Sequence, residues 1–165
     1  MIIGAISDTH DNLLAIEKVV ERLNEENVEL VLHAGDYISP FVIPKFQALR
    51  ARLIGVYGNN DGGRQLLKEK SITHGRFELR GNFARVKAGN MEIVMLHGDD
   101  EELLKALIDC QAFDIVIHGH VHTAEIHKIG KTLSVNPGEG CGYLSGKSTL
   151  ALIDTDKREA KIIEI

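Results

Sequence analysis

Five apolar runs in this 165-residue chain each stop at a glycine or small residue set beside an Asp, Asn or His. Ile2–Ile6 is followed by Ser7-Asp8-Thr9-His10, and Leu30–His33 by Ala34-Gly35-Asp36. Leu53–Tyr57 leads into Gly58-Asn59-Asn60-Asp61, Ile93–Leu96 into His97-Gly98-Asp99, and Ile115–His118 into Gly119-His120-Val121-His122. Short apolar runs bounded by turn residues read as buried strands. In open α/β sheets, ligands bind at the carboxyl ends of strands. Five such ends can converge on one site rich in oxygen and imidazole donors. Taken singly, each stretch is an ordinary turn or polar loop. Their ordered conjunction is what constrains the fold.

The intervening sequence fits. Asn12–Asn24 has helical spacing (Leu13, Ile16, Val19, Val20, Leu23), with Asp11 or Asn12 as its cap. Glu29–His33 reads as a second strand and Pro40–Leu49 as a second helix, with proline in its first turn. Arg52–Tyr57 is a third strand and Gly63–Glu69 a short helix. From Phe77 strands dominate: Phe77–Arg80, Asn82–Lys87 and Glu92–Leu96, then a helix over Glu101–Ile108 and a strand over Asp114–His118. Ala124–Lys128, Thr132–Val135, Thr149–Asp154 and Ala160–Ile165 finish the chain as strands. A βαβα start with a β-rich second half predicts an α/β layered protein with mixed sheets. No repeat or linker divides residues 1–165, so one domain is expected.

Composition narrows the partners. A net charge of −5 argues against a general nucleic-acid binder. No apolar run approaches the roughly 20 residues of a membrane helix. The first residues run straight into a strand-like segment with no signal peptide, which reads as cytoplasmic. Cys110 and Cys141 show neither a metal nor a disulfide spacing; Cys141 is read as a small buried packing residue.

Imidazole and carboxylate together suit Mn, Fe, Zn, Ni or Co. Asp8, His10, Asp36, Asn59, His97, His120 and His122 make seven candidate ligands. Seven is too many for one open first-row site and suits two ions sharing a carboxylate. Two ions ~3.5–4 Å apart are a standard device of phosphoester chemistry.

The ordered set resembles the calcineurin-like metallophosphoesterase superfamily, whose pattern is D-x-H, G-D, G-N-x-D, H-G and G-H-x-H. All five blocks are present, between residues 8 and 122. The short chain and Asn136-Pro137-Gly138 are similar to small single-domain phosphodiesterases of bacteria and archaea. The resemblance implies a four-layer α-β-β-α sandwich of two mixed sheets flanked by helices. It implies that Asp8, His10 and His122 hold one metal, that Asn59, His97 and His120 hold the other, and that Asp36 bridges. Asp61 would stand behind the ligands and fix the loop that carries Asn59. The cofactors implied are two divalent ions, Mn²⁺ or Ni²⁺ favoured and Fe, Zn or Co also compatible. A hydroxide bridging them would attack a small phosphodiester substrate in line with the leaving oxygen. A phosphomonoesterase or nuclease on the same site is an alternative. So is a non-catalytic scaffold, although the four histidine ligands are all kept. Dimers or tetramers are implied by likeness to small members.

One position departs from the pattern. Many members carry His at Asn60, where it contacts phosphate and can protonate the leaving group. An amide donates a hydrogen bond but is no general acid at neutral pH. His33 and His118, inside strand-like runs, read as structural; His74 and His127, in polar segments, are expected at the surface. Asp99 or Asp100 is expected to cap the helix from Glu101. Cys141–Ser148 has no Walker A glycine where Cys141 stands and no following helix. The Gly138–Gly142 segment is expected at the rim of the site, where a phosphate can approach backbone.

Overall fold

The computed structural model describes residues 1–165. Its elements are strands β1 (Ile2–Ile6), β2 (Leu30–His33), β3 (Arg52–Gly55), β4 (Phe77–Leu79), β5 (Phe83–Ala88) and β6 (Met91–Leu96). They continue as β7 (Ile115–Ile117), β8 (Ala124–Ile129), β9 (Thr132–Pro137), β10 (Thr149–Asp154) and β11 (Glu159–Glu164). Helices α1 (Leu13–Glu25), α2 (Arg64–His74) and α3 (Glu101–Asp109) and a 3₁₀ segment (Pro40–Ala48) complete it.

The strands form two mixed sheets. One has the order β11-β10-β1-β2-β3-β4 and the other β5-β6-β7-β9-β8. β1, β2, β3 and β4 run parallel, as do β6, β7 and β9. Their register aligns Ile6 with His33 and His33 with Gly55, so the loops after β1, β2 and β3 leave side by side. Ile3, Leu32, Ile54, Ile93, Ile115, Val135 and Ile153 fill the space between the sheets. α1, the 3₁₀ segment and α2 cover the six-stranded sheet through Ile16, Leu23, Phe46 and Leu67. α3 covers the other sheet more thinly: only Val94, Leu96 and Val116 are buried there. The layers are the predicted α-β-β-α sandwich. No helix is long and apolar enough to cross a membrane.

Two helices differ from expectation. The second is 3₁₀ rather than α. Pro44 stands inside its nine residues and cannot donate to an i−4 carbonyl, which disfavours an α-helix there. α2 continues past Glu69 to His74, where Gly75 in the left-handed conformation (φ 79°) ends it. Asn12 is the cap of α1, its Oδ1 accepting from Ala15 N at 3.2 Å. Asp100 caps α3, its Oδ1 accepting from Leu103 N at 2.9 Å. His74 is only half-exposed, its ring edge-on to Phe77 with both nitrogens buried. His127 is at the surface as expected.

Candidate metal centre

The loops after β1, β2, β3, β6 and β7 meet at one edge of the sandwich. Asp8 N and Thr9 N donate to Gly35 O and Asp36 O, at 3.0 and 3.1 Å, joining the first two loops. Gly119 N donates to His97 O at 2.8 Å, joining the last two. His120 N donates to Asp8 Oδ2 at 3.1 Å and ties the sheets together. Two glycines permit this approach. A Cβ on Gly119 would lie 1.9 Å from Ser7 Oγ, and one on Gly58 would lie 2.1 Å from Asp36 Oδ1.

The backbone is strained at the candidate ligands themselves. Asp8, His10, Asp36, His120 and His122 have φ of 52°, 40°, 60°, 70° and 58°. A non-glycine residue there costs about 1 kcal/mol or more. Five such residues on converging loops mark a site the surrounding fold must hold in place.

Asp36 Oδ2 lies 3.4 Å from His10 Nε2 and 3.4 Å from His97 Nε2. Asp8 Oδ1 lies 3.6 Å from His10 Nε2, 3.5 Å from His122 Nε2 and 4.0 Å from His97 Nε2. Asp8, His10 and His122 therefore form one candidate ligand group, and Asp8, Asp36 and His97 another. Asn59 and His120 stand beside them. His120 Nδ1 is 3.1 Å from Asn59 Oδ1, and the His120 ring centroid is 5.2 Å from that of His97.

The donor set fits cations. Asp8 Oδ1, His10 Nε2 and His97 Nε2 are buried without a hydrogen-bond partner. A buried polar atom left unpaired costs about 1–3 kcal/mol; Asp8 Oδ1 lies 3.6 and 4.0 Å from the two ring nitrogens, and each nitrogen lies 3.4 Å from Asp36 Oδ2. Charge already favours that arrangement. The Asp8 carboxylate raises the pKa of His10. Burial opposes charging His97, but the neighbouring Asp36 outweighs it and raises that pKa too. Burial likewise pushes Asp36 up, yet His97 and Asn60 hold its carboxyl well below the usual range.

Supporting residues surround the set. Asp61 accepts from the backbone N–H of Gly58, Asp36, Tyr37 and Ile38, at 2.7, 3.1, 2.6 and 2.8 Å. It grips the Asp36 turn as firmly as the loop of Asn59. Asn60 donates from N and Nδ2 to Asp36 Oδ1 and Oδ2, at 2.9 and 2.8 Å. His97 Nδ1 donates to Ala34 O at 2.8 Å, which leaves Nε2 free to face the carboxylates. His33 and His118 stand behind the site. His33 bridges Thr9 Oγ1 and Gly35 N, and His118 Nε2 meets Ser134 Oγ at 3.0 Å.

Sequence comparison matches residues 1–158 to the calcineurin-like phosphoesterase superfamily domain. The chain belongs to that superfamily. It is 41% identical, over 99% of its length and 98% of the relative's, to the phosphodiesterase MJ0936 of Methanocaldococcus jannaschii. It is 32% identical to a probable metallophosphoesterase of Methanothermobacter thermautotrophicus, covering 99% of this chain and 92% of that one. A solved archaeal phosphodiesterase superposes with a TM-score of 0.94 at 40% identity, each chain covered in full. The Vps29 of Entamoeba histolytica superposes at 0.72 with 20% identity, covering 100% of this chain and 99% of that one, a likeness of fold alone.

Sequence reasoning missed one residue beside these candidate ligands. Glu139 is buried, with Oε2 2.9 Å from His122 Nδ1. It lies in a glycine-rich segment without a ligand motif, and the only sequence signal was its place in the expected rim. That segment does reach the site: Gly140 N and Cys141 N donate to Ser7 O and Asp8 O, at 2.8 and 3.0 Å. Cys141 is buried and not disulfide-bonded. Burial pushes its thiol up to about 12, and it donates to Glu139 Oε2 at 3.2 Å. A thiol so held is neither a nucleophile nor a ready ligand.

Proposed function

We propose that the chain is a metal-dependent phosphodiesterase acting on small phosphate diesters through two divalent ions. The observation that carries this reading is Asp36 Oδ2, equidistant at 3.4 Å from His10 Nε2 and His97 Nε2, with both nitrogens buried and unpaired. Asp8, His10 and His122 would hold one ion, and Asn59, His97 and His120 the other, with Asp36 shared. Mn²⁺ and Ni²⁺ suit this mixed set of imidazole, carboxylate and amide donors, and so do Fe, Zn and Co. Ions held there would activate water at neutral pH and offset charge on the phosphoryl oxygens. The chain's own part is placement. The αL turns aim the ligands inward, Asp61 holds two loops, and Asn60 presents an amide beside Asp36 for hydrogen bonding to phosphoryl oxygen. The name phosphodiesterase carried by full-length relatives supports reading the substrate as a diester.

The test is hydrolysis of bis-p-nitrophenyl phosphate and of p-nitrophenyl phosphate by chelator-stripped protein, with and without Mn²⁺. Metal-dependent turnover of the diester, with little on the monoester, is expected. Preference for the monoester overturns the diesterase reading. Tight metal binding without turnover of either ester shifts weight to a scaffold.

A further inference from the structure

Glu139 belongs to none of the five motif blocks, yet it is 1% exposed and its carboxylate accepts from five donors. Oε2 meets His122 Nδ1 at 2.9 Å and the Cys141 thiol at 3.2 Å. Oε1 meets Leu144 N at 2.9 Å, Ser145 Oγ at 2.7 Å and Ser145 N. One carboxylate thus links a candidate metal ligand to the tip of a surface loop. That tip carries two exposed apolar side chains, Tyr143 (61%) and Leu144 (76%). On its flanks Asn12 Nδ2 donates to Cys141 O at 2.7 Å and Lys147 pairs with Glu164 at an exposed site, where such pairs contribute little.

We propose that Glu139 is a positioning residue that fixes the His122 ring with its proton on Nδ1 and its lone pair on Nε2, and that holds the Tyr143–Ser145 tip against the site with the same carboxylate. The assignment rests on His122 being a metal ligand, as in the reading above. A carboxylate only accepts, so the Nδ1 facing it must carry the proton. In the neutral ring the lone pair is then on Nε2, which faces Asp8 Oδ1 at 3.5 Å, on the side of the ligand cluster. A carboxylate behind a ligating histidine sets its tautomer and orientation. Every group around Glu139 is a donor, so an isosteric amide cannot replace it. With its oxygen toward His122, the side chain of Glu139→Gln would set its NH₂ against the N–H groups of Leu144 and Ser145. With its NH₂ toward His122, it would require the Nε2–H tautomer, which cannot ligate through Nε2. Charge and acceptor count both matter here, and Glu139→Asp preserves both at shorter reach.

The experiment uses the whole protein and two readouts besides activity. The ¹⁵N shifts of the His122 ring in metal-free protein report the tautomer, and titration with Mn²⁺ reports affinity. The wild type is expected to hold the Nδ1–H form. Glu139→Gln is expected to populate Nε2–H, to bind Mn²⁺ roughly 10–100-fold more weakly, and to be cut faster by trypsin at Lys147. Glu139→Asp is expected to recover part of the affinity. Wild-type tautomer and Mn²⁺ affinity in Glu139→Gln would overturn the proposal. Should that variant not fold, an Nε2–H tautomer at His122 in folded wild-type protein overturns it alone. If the wild type binds none of Mn²⁺, Ni²⁺, Zn²⁺, Co²⁺ and Fe²⁺, the two-metal reading fails, while the tautomer comparison still decides the role of Glu139.

Discussion

Asn60 uses both of its nitrogens on Asp36, so its side chain is fixed beside the carboxylate shared by His10 and His97. From there an amide can stabilise negative charge on a phosphoryl oxygen, but it cannot deliver a proton to a departing alkoxide. The cost depends on the leaving group. A nitrophenolate leaves without protonation, whereas an aliphatic alkoxide does not. Asn60→His restores a titratable nitrogen and keeps the backbone N–H bond to Asp36 Oδ1. We expect it to raise turnover of a diester with an aliphatic leaving group by about 100-fold or more, within the usual range of general acid catalysis. Bis-p-nitrophenyl phosphate should respond far less. Parallel kinetics on the two substrates check this, and an equal response on both counts against the proton-delivery argument. That the motif residues gather at one edge was legible because each stands next to a strand end with its own small motif. Glu139 was not, because its partner His122 lies 17 residues away in sequence and only the fold brings them together.

At the scale of elements, the strand ends carry the design, and glycine has two separate uses in them. Gly35 and Gly98 take φ of 102°, a conformation few other residues reach. Gly58 and Gly119 make room, since a methyl group at either would sit on a neighbouring loop, and Gly35 serves both uses, since a Cβ there would lie 2.6 Å from Gly58 N. Sharp turning beside the ligands accounts for the first pair only. Gly119→Ala would place Cβ 1.9 Å from Ser7 Oγ and 2.5 Å from Asp8 Oδ2, pushing β7's loop away from β1's. Overpacking of this kind costs about 1–3 kcal/mol, and each kcal/mol lowers the Tm of a chain this size by about 2–4 °C. Gly62→Ala is the control: its Cβ would meet nothing nearer than Ile38 O at 3.7 Å. Thermal melts of the two variants should differ by several degrees, and equal melting would refute the close-approach argument. The strands were readable as short apolar runs bounded by turn residues. The 3₁₀ segment was not, because its apolar spacing over two turns suits an α-helix as well and only Pro44 tells the two apart.

Across the whole molecule, the two sheets point the carboxyl ends of their parallel strands at the same edge, and the buried polar groups gathered there must satisfy one another. His33 shows what that implies for stability. It is fully buried in β2, stacked 3.9 Å from the Tyr37 ring, and burial lowers its pKa from 6.5 to about 3. Its Nδ1 accepts from Gly35 N at 3.1 Å, so its Nε2 carries the proton and faces Thr9 Oγ1 at 3.2 Å. Protonation would set a second N–H against that of Gly35 and loosen the turn that presents Asp36. The unfolded chain takes up this proton below about pH 6.5, whereas the folded chain resists until about pH 3. Stability from His33 is therefore complete above pH 6.5 and is lost as pH falls through that window. One proton corresponds to a slope of about 1.4 kcal/mol per pH unit. Urea unfolding of chelated protein between pH 6 and pH 4 should show that slope in the wild type in excess of His33→Gln, whatever the variant's absolute stability. Chelation keeps metal linkage out of the comparison, and the difference between the two proteins removes the shared contributions of the carboxylates. Parallel lines for the two proteins would mean that His33 is already protonated in the fold, and that the Asp36 turn tolerates the charge.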